Sequence, residues 1–139
     1  MTEERRLVTF PPTMDEEPPK LSQRLTQERI DAYAQASGDH NPIHLDPDFA
    51  RAVGLPSTIA HGLLTLGVAA AEIEIWAQGA AWTSRVSCRF SAPHPAGQVV
   101  SGKPRVIESE ATRAAIELEA ENEAGERVIS RGLVELRSV

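Results

Sequence analysis

The sequence predicts an α+β domain in which an antiparallel sheet curls around one buried helix. Three observations carry that prediction. A proline-free run over residues 58–76 is apolar on nearly every side until Glu72, as expected of a helix covered all round. The second half of the chain changes period: residues 83–90, 98–107, 113–120 and 127–136 read as strands, the third alternating Ile116, Leu118 and Ala120 with Glu117, Glu119 and Glu121. Asn122-Glu123-Ala124-Gly125 joins the last two strands as a hairpin connection. An antiparallel sheet with one charged face must lay its apolar face on something, and the buried helix is what the chain offers.

The elements follow in order. Residues 11–20 hold four prolines and no periodicity, so residues 1–20 read as an extended lead-in outside the core, and residues 21–139 as one domain. Thr26 can cap a helix whose first turn contains Glu28, whose apolar stripe is Ile30, Tyr33 and Ala34, and which Gly38 can end. A second, short helix follows at 46–54, with Asp46 as cap, Pro47 at its first position and Gly54 as stop. Cys88 alternates with Val86 and Phe90 and reads as a small hydrophobe of a strand; a lone cysteine also rules out an internal disulfide. His94, between Pro93 and Pro95, reads as a surface turn residue.

Composition narrows the function classes. A hydrophobic fraction of 41% and a charged fraction of 24% are those of a globular protein. The net charge of -6 disfavours a nonspecific grip on nucleic acid phosphates. No signal pattern and no charge-free run of membrane length is present, so the expectation is a cytoplasmic protein with no membrane partner.

Between the first two helices lies Ser37-Gly38-Asp39-His40-Asn41-Pro42-Ile43-His44, where Gly38 and Pro42 argue against a regular helix. Asp39 and His44 on one stiff loop can hold a water between them, which is the apparatus of general acid–base chemistry. The same residue types also build ordinary turns. His40 and His44 would share a metal only on a helical segment, which Pro42 opposes, so neither a metal nor a cofactor is expected.

Ala36-Ser37-Gly38-Asp39-His40-Asn41-Pro42-Ile43-His44, followed by Ala60-His61-Gly62 at the head of an apolar helix, closely resembles the MaoC-like (R)-specific enoyl-CoA hydratases and the related β-hydroxyacyl-ACP dehydratase subunits. The likeness runs from about Leu21 to the C-terminus. It implies a hot-dog fold, a sheet wrapped around a long helix, and a homodimer or dimer of dimers whose sheets join edge to edge. It also implies that Asp39 and His44 are the catalytic pair and that the Gly62 N–H receives the thioester oxyanion. Asn41 and Pro42 match loop-shaping positions, and Asn41 and His61 join Gly62 as the candidate substrate-contacting set. His61 has a structural alternative, since buried polar groups are usually paired. The expected substrate is an acyl-CoA or acyl-ACP thioester. One position departs from the pattern: some hydratases carry a serine where this chain has Gly67, and Thr65, two residues away, should point elsewhere on a helix.

Three other readings stay open at this point. The chemistry can run as dehydration on an acyl carrier protein; a hot-dog thioesterase would use an acid of the central helix, Glu72 or Glu74; and a non-catalytic acyl-binding subunit would keep the fold without the reaction.

Overall fold

The computed structural model describes residues 9–77 and 79–139. In chain order it places β1 (Leu21–Arg24), α1 (Gln27–Ser37), α2 (Pro42–Leu45), α3 (Pro47–Ala52), α4 (Gly62–Trp76), β2 (Ala81–Phe90), β3 (Val99–Gly102), β4 (Arg105–Glu110), β5 (Arg113–Glu121) and β6 (Arg127–Ser138). The sheet has six strands in the order β1-β3-β5-β6-β2, with β4 also bonded to β5, and all pairings are antiparallel. This is the layering of a hot-dog fold.

Alternation makes the sheet two-faced, as expected. Ile116, Leu118 and Ala120 of β5 are buried while Glu119 and Glu121 are exposed. One core cluster joins Leu21, Leu25, Ile30, Ala69, Val100, Leu118 and Ile129 near the start of α4; a second joins Ile73, Trp76, Val106, Ile116, Val134 and Leu136 near its end. The helix is thus pinned along its length by apolar burial, the principal stabilising term of such a core.

Several boundaries move for identifiable reasons. The run expected as one strand over 98–107 breaks at Lys103-Pro104 into β3 and β4, because proline has no N–H to give the ladder. The helix expected over 58–76 begins only at Gly62, since Ile59 bridges Pro95 and the Ala60 N–H donates to His94 O at 2.9 Å, drawing 58–60 into extended backbone. Nor is α4 covered all round: Leu63 is 62% exposed, and Gly67, Ala71, Glu74 and Ile75 continue that open face. Val86 and Phe90 are also exposed, whereas Cys88 packs on the first core cluster. Strand β1 carries no signal in the sequence reading and exists through its pairing with β3. Within the lead-in, Pro12 is fully buried, its carbonyl accepts the Ser109 hydroxyl, and Phe10 packs on the second cluster, so this stretch is not wholly outside the core as expected. The part of the lead-in at residues 1–8 lies outside the described residues.

Candidate active site

The segment that carries Asp39 and His44 is shaped by local bonds. Thr26 caps α1 by accepting from the Arg29 N–H, and Gly38, at φ +79° where a side chain would be strained, ends it with a bond to Ala34 O. The chain then turns through Asp39, whose Oδ1 accepts the Asn41 N–H at 3.2 Å, while Asn41 Oδ1 accepts the Ile43 N–H at 3.2 Å. Asn41 is therefore the cap of α2, a loop-shaping residue whose side-chain oxygen is already engaged. Pro42, expected to keep the segment from being helical, instead opens this short helix, because a first helical residue needs no N–H. His44 emerges buried from that turn while His40 stays exposed, so the two histidines do not share a site.

The imidazole of His44 is fixed from two sides. Its Nδ1 lies 2.7 Å from Ile59 O, a bond that requires the proton on Nδ1 and leaves the Nε2 lone pair free. That Nε2 is 4.0 Å from Asp39 Oδ2. Burial holds the His44 pKa below its ordinary value, and the neighbouring His61 pushes the same way, against the opposing influence of the Ile59 carbonyl and of Asp39. His44 is therefore held as the neutral imidazole.

His61, at the N-cap of α4, belongs to the same assembly. It is 2% exposed, stacks on His44 with ring centroids 3.7 Å apart, and bonds through Nε2 to Asp39 O at 3.0 Å. Tyr33 of α1 covers it at 4.7 Å. His61 thus ties the backbone of one candidate residue to the ring of the other, and its side chain does not cap the helix it precedes. The first N–H groups of α4 therefore receive no side-chain cap, and the positive end of the helix dipole lies behind them.

A pocket of about 260 Å³ opens on that helix start, with His44, Gly62, Thr65, Phe90, His94 and Val128 in its walls. Gly62 is needed there because a Cβ would come within 2.9 Å of the Phe90 ring. Thr65 and Gly67 point in different directions, as expected of helical positions two apart: Gly67 sits on the exposed face of α4, while Thr65 lines this pocket and donates its hydroxyl to His61 O at 3.2 Å. His94, read from its flanking prolines as a surface residue, is buried. The bridge from Pro95 to Ile59 folds its loop inward, and no signal within the loop itself announces a pairing partner so far away. Glu72 accepts from Gln23 and Glu74 from the Thr83 N–H, so neither acid of the thioesterase reading stands in the pocket wall.

Asp39, His44 and His61 each present a ligand-type atom within 4.8 Å of the others. The fit to a cation is poor. Stacked rings 25° from parallel send their in-plane lone pairs side by side rather than to one point. The set is better arranged to hold a water and move its proton.

The chain is similar to known proteins in sequence and in fold. A family model described as a MaoC like domain matches residues 9–128. The chain is 31% identical over 114 residues to 3-hydroxybutyryl-CoA dehydratase of Methylorubrum extorquens, covering 81% of this chain and 72% of that protein. It is 42% identical over 76 residues to 3-hydroxyacyl-thioester dehydratase X of Mycobacterium tuberculosis, covering 55% of this chain and 26% of that protein. The chain therefore spans about a quarter of the latter's length. Among solved structures, the (R)-hydratase from A. caviae involved in PHA biosynthesis superposes with a TM-score of 0.79 at 23% identity, over 93% of this chain and 98% of that one. With the match to the family model spanning most of its length, the chain belongs to the MaoC-like dehydratase family.

Proposed function

We propose that the protein is a hydro-lyase acting as an (R)-specific enoyl-CoA hydratase, adding water reversibly and with syn geometry to trans-2-enoyl thioesters. The observation that carries the reading is the neutral His44, its bare Nε2 4.0 Å from Asp39 Oδ2, in the wall of the pocket on which the Gly62 helix start opens. The names of the dehydratase relatives support the same chemistry.

The separation of 4.0 Å is too long for a direct bond, yet a water ~2.8 Å from both atoms can donate one proton to each. As the water oxygen attacks Cβ, Asp39 takes its proton and His44 holds the oxygen in line. Electron density moves to the thioester oxygen, where the Gly62 N–H and the α4 dipole receive it; a donor of this kind is typically worth ~3 to 4 kcal/mol of barrier. Asp39 then returns the proton to Cα on the same face. The carboxylate is regenerated, the hydroxyl stays on Cβ, and no charge is left over. His61 keeps Asp39 and His44 in register, and Asn41 aims the Asp39 carboxylate through its backbone N–H.

Incubation of the purified protein with crotonyl-CoA should show loss of the enoyl absorbance. No loss would remove the hydratase reading. The product should be consumed by an R-specific 3-hydroxyacyl-CoA reductase and ignored by an S-specific dehydrogenase, because a fixed Asp39–His44 pair serves only one face of the alkene. The same groups catalyse dehydration in reverse, and side-by-side assay with CoA and carrier-protein thioesters identifies the carrier.

Homodimers or dimers of dimers complete the proposal. Among the described residues, strand β2 is hydrogen-bonded on one side only, to β6, and it carries Trp82, Val86 and Phe90 exposed at 50%, 36% and 47%. An open edge with such side chains suits pairing with the same edge of a second copy. Sedimentation as a monomer at micromolar concentration would overturn it.

A further inference from the structure

The side chain of Gln27, at the first position of α1, joins the two backbone segments between which the His44 ring is held. Its Nε2 donates to His44 O at 2.8 Å and to Asp31 Oδ1 at 2.9 Å, and its Oε1 accepts the Thr58 hydroxyl at 2.6 Å. Chemistry fixes the orientation of the amide. A backbone carbonyl can only accept, so the nitrogen must face His44 O, which turns the oxygen to Thr58. Both N–H groups and the oxygen of the amide are then in use.

These bonds close on themselves. From Gln27 the path runs through the His44 backbone to its imidazole, from Nδ1 across 2.7 Å to Ile59 O, back one residue to Thr58, and through its hydroxyl to Gln27 again. The Ile59 N–H donates to Ile43 O at 3.2 Å, a further tie between the same two segments. Thr58 is 5% exposed, and its carbonyl accepts the Ala96 N–H at 2.9 Å, so the far side of the ring is anchored in the fold. A closed ring of bonds leaves the Ile59 carbonyl little freedom relative to the imidazole, because displacing either segment stretches more than one of them at once.

We propose that Gln27 is a positioning residue for the hydration, clamping with Thr58 the Ile59 carbonyl against His44 Nδ1. The proposal rests on the hydratase reading above. The clamp keeps the proton on Nδ1 and the Nε2 lone pair toward Asp39. The other tautomer would present an N–H to the carboxylate and could no longer accept from the water held between them. Gln27 is not in the pocket wall and acts only through the ring it places.

Exchanges at Thr58 separate positioning from mere support of the fold. Thr58→Val removes the hydroxyl and keeps the branched side chain, whereas Thr58→Ser keeps the hydroxyl and removes a buried methyl. With the purified full chain and crotonyl-CoA, Thr58→Val should lose roughly 3- to 30-fold in kcat with KM within about twofold of the parent. Thr58→Ser should melt below the parent yet keep kcat within about twofold of it. Gln27→Leu should lose at least as much kcat as Thr58→Val, and the double variant should lose no more than Gln27→Leu, since a ring already open cannot be opened again; a factor of two marks agreement. Nitrogen-15 shifts of the His44 ring, identified by their absence from His44→Ala, report the tautomer without substrate. At a pH where the ring is neutral, the parent should carry its proton on Nδ1, and Gln27→Leu and Thr58→Val should show a mixture of the two tautomers.

A kcat retained by Thr58→Val overturns the proposal, and so does a loss in Thr58→Ser as large as that in Thr58→Val. Losses that multiply in the double variant overturn it too, because Gln27 and Thr58 would then act separately. If one of the two apolar single variants does not fold, the other decides by its kcat against that of Thr58→Ser, and failure of both to fold assigns Gln27 and Thr58 to the fold alone. A parent that leaves crotonyl-CoA unchanged overturns the hydratase reading itself. The tautomer measurement still judges the clamp in that case: a ring protonated on Nδ1 alone in both Gln27→Leu and Thr58→Val overturns it, and a mixture in both supports it.

Discussion

The two ends of α4 do opposite jobs with the same backbone. At its C-terminal end Ile73 and Trp76 are packed among Val106, Ile116, Val134 and Leu136, and the surroundings are apolar. At its N-terminal end His61 leaves the helix uncapped by any side chain, Gly62 offers bare backbone, and His44, Thr65 and His94 line a polar-edged pocket. The unsatisfied N–H groups are tolerable at one end because the other is anchored by burial. A helix of 15 residues is thus a post sunk in the core at one end and, in the proposed reaction, the receiver of the oxyanion at the other. Damage at one end should abolish chemistry and spare stability, and damage at the other should do the reverse.

The largest effect should come from Asp39→Asn. The amide keeps the shape of the carboxylate but cannot take a proton, so turnover should fall by 10² to 10⁴-fold or more, roughly 3 kcal/mol upward of barrier, with the melting temperature unchanged. Near-normal hydration of crotonyl-CoA by that variant would remove Asp39 from the mechanism. His44→Ala should reduce kcat by roughly 10²-fold and leave substrate affinity little altered, as separate kcat and binding measurements will show. A loss of affinity at constant kcat would instead assign His44 to substrate holding.

The opposite end is tested by Ile73→Ala. Ile73 is fully buried, and truncating such a side chain typically costs about 2 to 5 kcal/mol of stability through lost transfer energy and the cavity left behind. Denaturant unfolding should register that loss, while the molecules still folded hydrate substrate at the normal rate. A variant as stable as the parent but slow would mean that the two ends are not separable.

Acid pH should sharpen the contrast. Because burial lowers the His44 pKa, the native state resists a proton that the unfolded chain accepts below about 6.5. The contribution of His44 to stability is therefore unaffected above that value, falls as pH drops below it, and levels off once the folded His44 itself protonates. Hydration should persist below pH 6.5 and fail only where the folded imidazole charges; a kcat profile that drops at the ordinary histidine value would contradict the neutral His44 described here. The smallest effect is expected of Gly62→Ala, where the new methyl must displace the Phe90 ring from 2.9 Å. A loss of up to roughly tenfold in kcat/KM is expected, relieved by adding Phe90→Ala, since misplacement at a reacting centre is felt in rate before it is felt in stability.

What the sequence determined by itself is local. Thr26, Gly38, Asp46 and Pro47 fix helix ends through bonds that span a few residues, and the alternation along β5 specifies which face is buried, because each signal is complete within its own segment. The closeness of Asp39 to His44 is of the same kind, one turn of chain apart. Only the tertiary structure decided that residues 58–60 leave the central helix to pair with 94–96. It alone brings His61 across to Asp39 and His44, and turns His94 from a proline-flanked surface residue into a pocket wall. These are contacts between segments 17 to 50 residues apart, selected by which carbonyl, ring or ladder another segment presents. A local pattern carries no record of such a partner, because the free energy that fixes the contact exists only once both sides are folded.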